Sequence, residues 1–198
     1  LGKIRVFERP VGSESWNEGK QLERSGAERD DGFGISLSFA GDLAIVGAPR
    51  RGESGAAYVF SRNPVSGQWR ENTLLSDLSV SPNAGFGTTV MIDGDIALVS
   101  LPGTAETSGI VIAYAQDQST GAWIEHARIA PRIQSPGDRF GSAMAFEGNE
   151  MLIGAPGAEE GRGAVHRFVR NRDTNVWQAV QVLSVAGIEP GFSFGSTV

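Results

Sequence analysis

The sequence predicts an all-β fold: a β-propeller of four-stranded antiparallel blades, each about 54 residues long. Three observations predict it. Landmark residues recur at a fixed step, short apolar runs alternate with Gly- and Asp-bearing turns, and no segment sustains a helical period. Phe-Gly stands at Phe33-Gly34, Phe86-Gly87, Phe140-Gly141 and Phe194-Gly195, at steps of 53, 54 and 54 residues. Trp16, Trp69, Trp123 and Trp177 keep these steps, and so do Phe7, Phe60, Tyr114 and Phe168. Fourteen residues after the first three Phe-Gly pairs come Gly47-Ala48-Pro49, Ser100-Leu101-Pro102 and Gly154-Ala155-Pro156. Many of the 27 glycines fall in these columns, so they mark turns and close approaches rather than a flexible linker.

Each unit reads as strands A to D. Strand A follows Phe-Gly, and Ile35-Ser36-Leu37-Ser38-Phe39 alternates apolar and polar with period two. Val90 and Ile92, then Met144 and Phe146, continue that apolar face. A tight turn follows, with Gly41-Asp42, Asp93-Gly94-Asp95 or Gly148-Asn149, residues that tolerate positive φ. Strand B is apolar on both faces (Leu43–Val46, Ile96–Val99, Met151–Ile153), as in a doubly covered strand. Pro49, Pro102 and Pro156 end it, because proline cannot donate to a ladder. Strand C is Ala57–Phe60 and its equivalents. Strand D runs from each Trp to Leu22, Leu75, Ile129 or Leu183. Gly67, Gly121 and Asn175 mark the C–D corner, while Glu14 stands there in the first unit.

Gly2 aligns with Gly55, and Val198 with Leu37. The expected organisation is therefore a half-blade of strands C and D over 1–26, blades over 27–79, 80–133 and 134–187, and the first strand of a further blade over 188–198, 15 strands in all. A stack ending mid-blade leaves an apolar edge, which natural sheets avoid. This predicts an incomplete ring or a fragment of a larger propeller, completed by further blades of the same protein or by a neighbouring chain.

The Phe-Gly … Gly-Ala-Pro pattern resembles the FG-GAP repeat of integrin α-subunit propellers and of many secreted bacterial proteins. The resemblance covers essentially the whole chain, and the middle unit departs from it with Ser100-Leu101-Pro102, where Ser100 would crowd a close approach that glycine allows. It implies a propeller of about seven blades, an extracellular or cell-surface location, and ligands bound through the B–C and D–A loops. Relatives often carry an Asp-x-Asp-x-Asp-Gly calcium loop between strands A and B. Here two or three residues join those strands, and calcium needs about 6–8 oxygen ligands. No cofactor and no bound calcium is therefore expected.

Composition narrows the function. A net charge of −6, from 17 Lys and Arg against 23 Asp and Glu, argues against nucleic acid as partner. No cysteine is present for a disulfide or thiolate metal site. No apolar run reaches the ~18–20 residues of a membrane-spanning helix. Gly191-Phe192-Ser193-Phe194-Gly195 matches the G-x-S-x-G nucleophile elbow, but that motif needs a strand–turn–helix setting, and here its Phe-Gly belongs to the repeat. His126 and His166 lie in columns filled by unrelated residues, without a second ligand at metal spacing. The Trp column reads as packing at the start of strand D. No catalytic residue is assigned. The candidate ligand-binding residues are Arg50, Arg51 and Glu53, Thr104 and Glu106, and Glu159, Glu160 and Arg162 in the B–C loops, with Asp30 and Asp138 in the D–A connections. The function expected is a non-catalytic extracellular binding or adhesion module for a protein or glycan. The alternatives are a blade array assembling into a surface layer or filament, and an accessory propeller of a secreted hydrolase whose catalytic residues lie elsewhere.

Overall fold

The computed structural model describes residues 2–26, 28–77 and 79–198. The expected segment boundaries at residues 1 and 27 fall outside them. The described residues form 14 strands in four antiparallel sheets. A two-stranded sheet pairs β1 (Ile4–Glu8) with β2 (Asn17–Leu22). The first full blade is β3 (Leu37–Ala40), β4 (Leu43–Ala48), β5 (Ala56–Arg62) and β6 (Trp69–Leu75). The second is β7 (Val90–Asp93), β8 (Ile96–Leu101), β9 (Ile110–Gln116) and β10 (Trp123–Ile129). The third is β11 (Ala143–Glu147), β12 (Glu150–Ala155), β13 (Ala164–Arg170) and β14 (Trp177–Leu183). Each full blade is a meander in sequence order, the A-to-D order of the sequence pattern.

The core lies between sheets. One cluster joins Ile45 and Val59 of the first blade to Phe86, Val90 and Ile92 of the second, and another joins Leu98 and Val111 to Phe140 and Met151. A third joins Leu22 to Phe33, Val46 and Tyr58. Successive residues of β4 thus face opposite neighbours, which is why strand B is apolar on both faces.

Every C–D pair carries a register shift at the aromatic column: Arg5/Phe7, Val59/Phe60, Glu125/Ala127 opposite Tyr114, and Arg167/Phe168. In the three full blades the extra residues are Asn72, His126 and Val180. A bulge residue is unpaired, so the column has no fixed chemistry and His126 occupies it without a metal partner.

Two expectations on strand A are corrected. Residues 195–198 form no strand; Phe194 makes only a single parallel bridge to Gly163. A strand A is held by the strand B that follows it in the meander, and among the described residues no strand pairs with 195–198. The expected strand from Ile35 starts instead at Leu37, and its apolar face is open: Leu37 is 49% and Phe39 73% exposed, whereas the equivalent Val90 and Ile92 are 2% and 4% exposed. The strands β3 and β4 cover β7, but the two-stranded sheet beside β3 consists only of strands C and D and does not reach this surface. Trp16 shares that opening and is exposed, while Trp123 is buried and Trp177 packs edge-on to Phe146.

Glycines fix the spacing between blades. A Cβ on Gly47 or Gly154 would overlap the carbonyl oxygen of Gly87 or Gly195 in the following unit. The hydroxyl of Ser36 donates to the same Gly87 carbonyl at 2.9 Å. Ser100 replaces the glycine in the middle unit and is accommodated by a shift of one residue. There Thr89 donates to the carbonyl of Ser142 rather than of Gly141, and the Ser100 hydroxyl accepts the Thr89 N–H at 2.9 Å. We expect Gly154→Ala to cost about 1–3 kcal/mol, as overpacking does, read as a lower urea midpoint with unchanged slope. An unchanged midpoint would show that the blades separate freely at this contact.

Candidate binding face

The D–A connections and B–C loops meet at one end of the sheets through a repeated pair of backbone bonds. Phe86, Phe140 and Phe194 donate to the carbonyls of Ser54, Ser108 and Arg162 at 2.8 Å each. Asn83, Gly137 and Gly191 donate to Glu53, Thr107 and Gly161 at 2.8, 3.3 and 3.0 Å. Each B–C loop is thereby fastened to the connection entering the next blade. The connections turn through two left-handed positions per unit, at Asp30, Asn83, Gly137 and Gly191, and at Gly32, Gly85, Arg139 and Ser193. Ser193 therefore sits at a left-handed corner of the connection that follows β14, with φ 59°.

The expected ligand-binding residues divide into two sets. Glu53, Glu106, Glu159 and Glu160 are exposed at the loop tips, and Thr104 is half-buried. Glu159 and Glu160 are both left-handed, at φ 52° and 61°, a costly backbone for non-glycine residues. Exposed Arg50 donates to the Asp30 carbonyl at 3.0 Å, and Arg162 to the Ile188 carbonyl at 3.1 Å. Arg51 is half-buried, its guanidinium 5.8 Å from the Tyr58 ring centre. Asp138 is buried, with its carboxylate accepting the Ser135 N–H at 2.9 Å. Asp31, at the equivalent position, accepts the Phe33 N–H and lies 2.7 Å from Arg24, both almost fully buried. This Asp column shapes the connection from within.

In the middle unit that position is Ala84, and beside it opens a cavity of about 450 Å³. Its apolar lining includes Val80, Ala84, Leu101, Ile110 and Pro136. Its polar lining includes Ser81, Thr104, Glu106, Thr107 and Gln134. Leu101 and Ile110 stand where the other full blades have Ala48 and Ala155, and Ala56 and Ala164. Sequence reasoning found Thr104 and Glu106 but missed the floor, although its signal was present as departures from the repeat. Asp77 adjoins the cavity through Ser79. Burial opposes its ionisation, but hydrogen bonds from Ser79 and Arg128 outweigh this and hold its carboxyl below the usual range.

At the opposite end of the sheets, the A–B turns are two-residue hairpins closed by the pairs Ala40–Leu43, Asp93–Ile96 and Glu147–Glu150. Asp93 accepts the Gly148 N–H of the next blade at 3.1 Å, and Asp42 accepts from Arg62 at 3.4 Å. Among the described residues no three His, Asp or Glu gather as a metal site. We expect millimolar calcium, added after chelator treatment, to leave the thermal midpoint unchanged. A rise with calcium would overturn that expectation.

His166, on β13, packs edge-on to Phe140 with ring centres 5.3 Å apart. Burial lowers its pKa, and Asp138 offsets this only in part. The unfolded chain takes up this proton more readily than the folded one. Stability should therefore fall as pH drops below about 6.5, the ordinary value for histidine. Comparing thermal melts at pH 7.5 and 5.5 for the parent and His166→Phe should show a smaller loss in the variant. Equal losses would place the acid sensitivity elsewhere.

The fold and this face define an array of β-propeller blades. The sequence matches the family model for the FG-GAP repeat over residues 16–60 and 123–168. Human integrin alpha-X is 30% identical over 158 residues, covering 71% of this chain and 13% of the relative. Human integrin alpha-D is 26% identical, covering 82% and 16%. The blades are thus FG-GAP repeats, and the chain spans less than a fifth of these relatives. Among solved structures, a Lactobacillus plantarum protein aligns with a TM-score of 0.60 at 12% identity, covering 98% of this chain and 51% of its own. The periplasmic gluconolactonase of Pseudomonas aeruginosa aligns with a TM-score of 0.51 at 18% identity, covering 75% and 39%. Likeness at these identities concerns the fold alone.

Proposed function

We propose that this chain is a non-catalytic binding module of the adhesion type, which presents its B–C and D–A loops to a protein partner at the cell exterior. The observation that carries this reading is the repeated backbone clasp. It holds the three B–C loops rigidly on one face, while Glu53, Glu106, Glu159 and Glu160 differ from their surroundings by pointing charge into solvent. Loops fixed on a stiff scaffold lose little entropy when they bind. The integrin alpha relatives support the reading. Its net charge of −6 suits a partner with a basic surface.

The test is a protein and glycan array probed with the parent chain, followed by three loop variants: Arg50→Glu with Arg51→Glu, Thr104→Ala with Glu106→Lys, and Glu159→Lys with Glu160→Lys. At least one variant should lose its partner at an unchanged thermal midpoint. A partner retained by all three, or captured through the A–B turns, would overturn the proposal.

A further inference from the structure

The middle unit departs from its neighbours at three columns that converge in space. Ala84 replaces the buried aspartates Asp31 and Asp138, Leu101 replaces Ala48 and Ala155, and Ile110 replaces Ala56 and Ala164. All three line the 450 Å³ cavity on the loop face. Losing the carboxylate removes the group that closes the connection from within, and the two larger aliphatic chains make the floor apolar, with Ala84 and Ile110 half-buried at its surface and Leu101 buried beneath them. That volume lies within the size range of small-ligand sites.

The rim has a different chemistry. Thr104 and Thr107 hydroxyls accept the Glu106 and Thr104 N–H groups, so their own protons remain available to a visitor. Gln134 accepts from Ser108 through its carbonyl oxygen at 3.3 Å, and its amide N–H groups have no partner among the described residues. Among the described residues the exposed Glu106 has no ion-pair partner, and no Lys, Arg or aromatic residue lines the cavity. An aliphatic floor without a ring face suits a branched aliphatic side chain better than a sugar, whose C–H faces stack on aromatic rings. Hydroxyl and amide donors around such a floor match the carbonyls of an extended peptide, and the unpaired carboxylate matches a cationic neighbour.

We propose that this cleft binds an extended peptide segment, seating one aliphatic side chain on Ala84 and Ile110, with Leu101 packed beneath them, and directing an adjacent Lys or Arg toward Glu106. The site rests on the binding-module reading above and specifies where and what it binds.

The test is methyl-resolved NMR of the labelled chain titrated with blocked tetrapeptides. Ac-Gly-Leu-Lys-Gly-amide should shift the Leu101 and Ile110 methyl signals. Replacing Leu by Asp should weaken binding by at least ~10-fold, as loss of a seated apolar group does. Replacing Lys by Glu should weaken it as well, and Glu106→Gln should abolish that Lys-over-Glu preference. Ala84→Asp restores the residue type of the two neighbouring units and should block the Leu peptide while leaving the other methyl signals in place. Absence of Leu101 and Ile110 shifts at millimolar peptide, equal shifts with the Leu and Asp peptides, or shifts with maltotriose alone would each overturn the proposal. If an array partner instead binds through Arg50–Ser54 or Gly157–Arg162 and leaves these methyls unmoved, the cleft fails while the binding-module reading stands.

Discussion

The structure depends on one backbone contact, repeated at every blade boundary. The glycine that opens strand C (Gly2, Gly55, Gly109 and Gly163) lies so close to the Phe carbonyl of the next Phe-Gly pair that a Cβ would overlap it. Glycine costs chain entropy wherever it is fixed, so a column of it needs a return. The return is that two sheets approach at backbone distance near the loop face while the Phe ring of the same pair fills the space just beneath. Phe33, Phe86 and Phe140 are each almost fully buried there. The glycine of Phe-Gly, at φ between 85° and 92°, turns the chain from this wedge into strand A.

Function follows from where this contact lies. The bonds that bring Phe86, Phe140 and Phe194 to the preceding B–C loops are part of the same junction, so the packing that spaces the blades also holds the loops. Side chains at the loop tips can then vary without disturbing the stack. At the far end of the sheets the A–B turns are two-residue hairpins, in which Asp93 accepts the Gly148 N–H and Asp42 accepts from Arg62. The molecule thus has one adaptable end and one fixed end.

Most of this architecture was legible because a repeat makes each unit a control for the others. Phe-Gly, the doubly apolar strand B and the Gly and Asp hairpins each carry a local signal that needs no tertiary information. The failures are instructive for the same reason. Ile35, Leu37 and Phe39 read as a buried face because alternation reports which side of a strand is apolar, not whether a neighbour is present to cover it. Residues 195–198 read as a strand because their column is one, but a ladder needs a second strand. Asp138 read as a candidate binding residue because it stands in a loop, and its burial on the Ser135 N–H becomes visible only in three dimensions. In the site, Glu106 was legible as a charge on a loop, whereas the floor beneath it was not.

That floor shows how departures from a repeat should be weighed. Ser100-Leu101-Pro102 reads in one dimension as a weakened copy of Gly-Ala-Pro. In the fold, the serine is absorbed by a one-residue change in the inter-blade hydrogen bond, from the Phe-Gly glycine to the residue after it. The adjacent leucine meets Ile110 from strand C and Ala84 from the connection. One substitution would be noise in a tolerant scaffold. Three, far apart in sequence and facing one cavity, change its chemistry together: a carboxylate is lost and aliphatic bulk is gained on two separate strands. Packing alone would favour filling the space vacated by Asp, and yet an open cavity remains between the loops. The middle unit therefore combines an intact inter-blade junction with an altered loop face, the arrangement a rigid scaffold needs in order to carry a specific site.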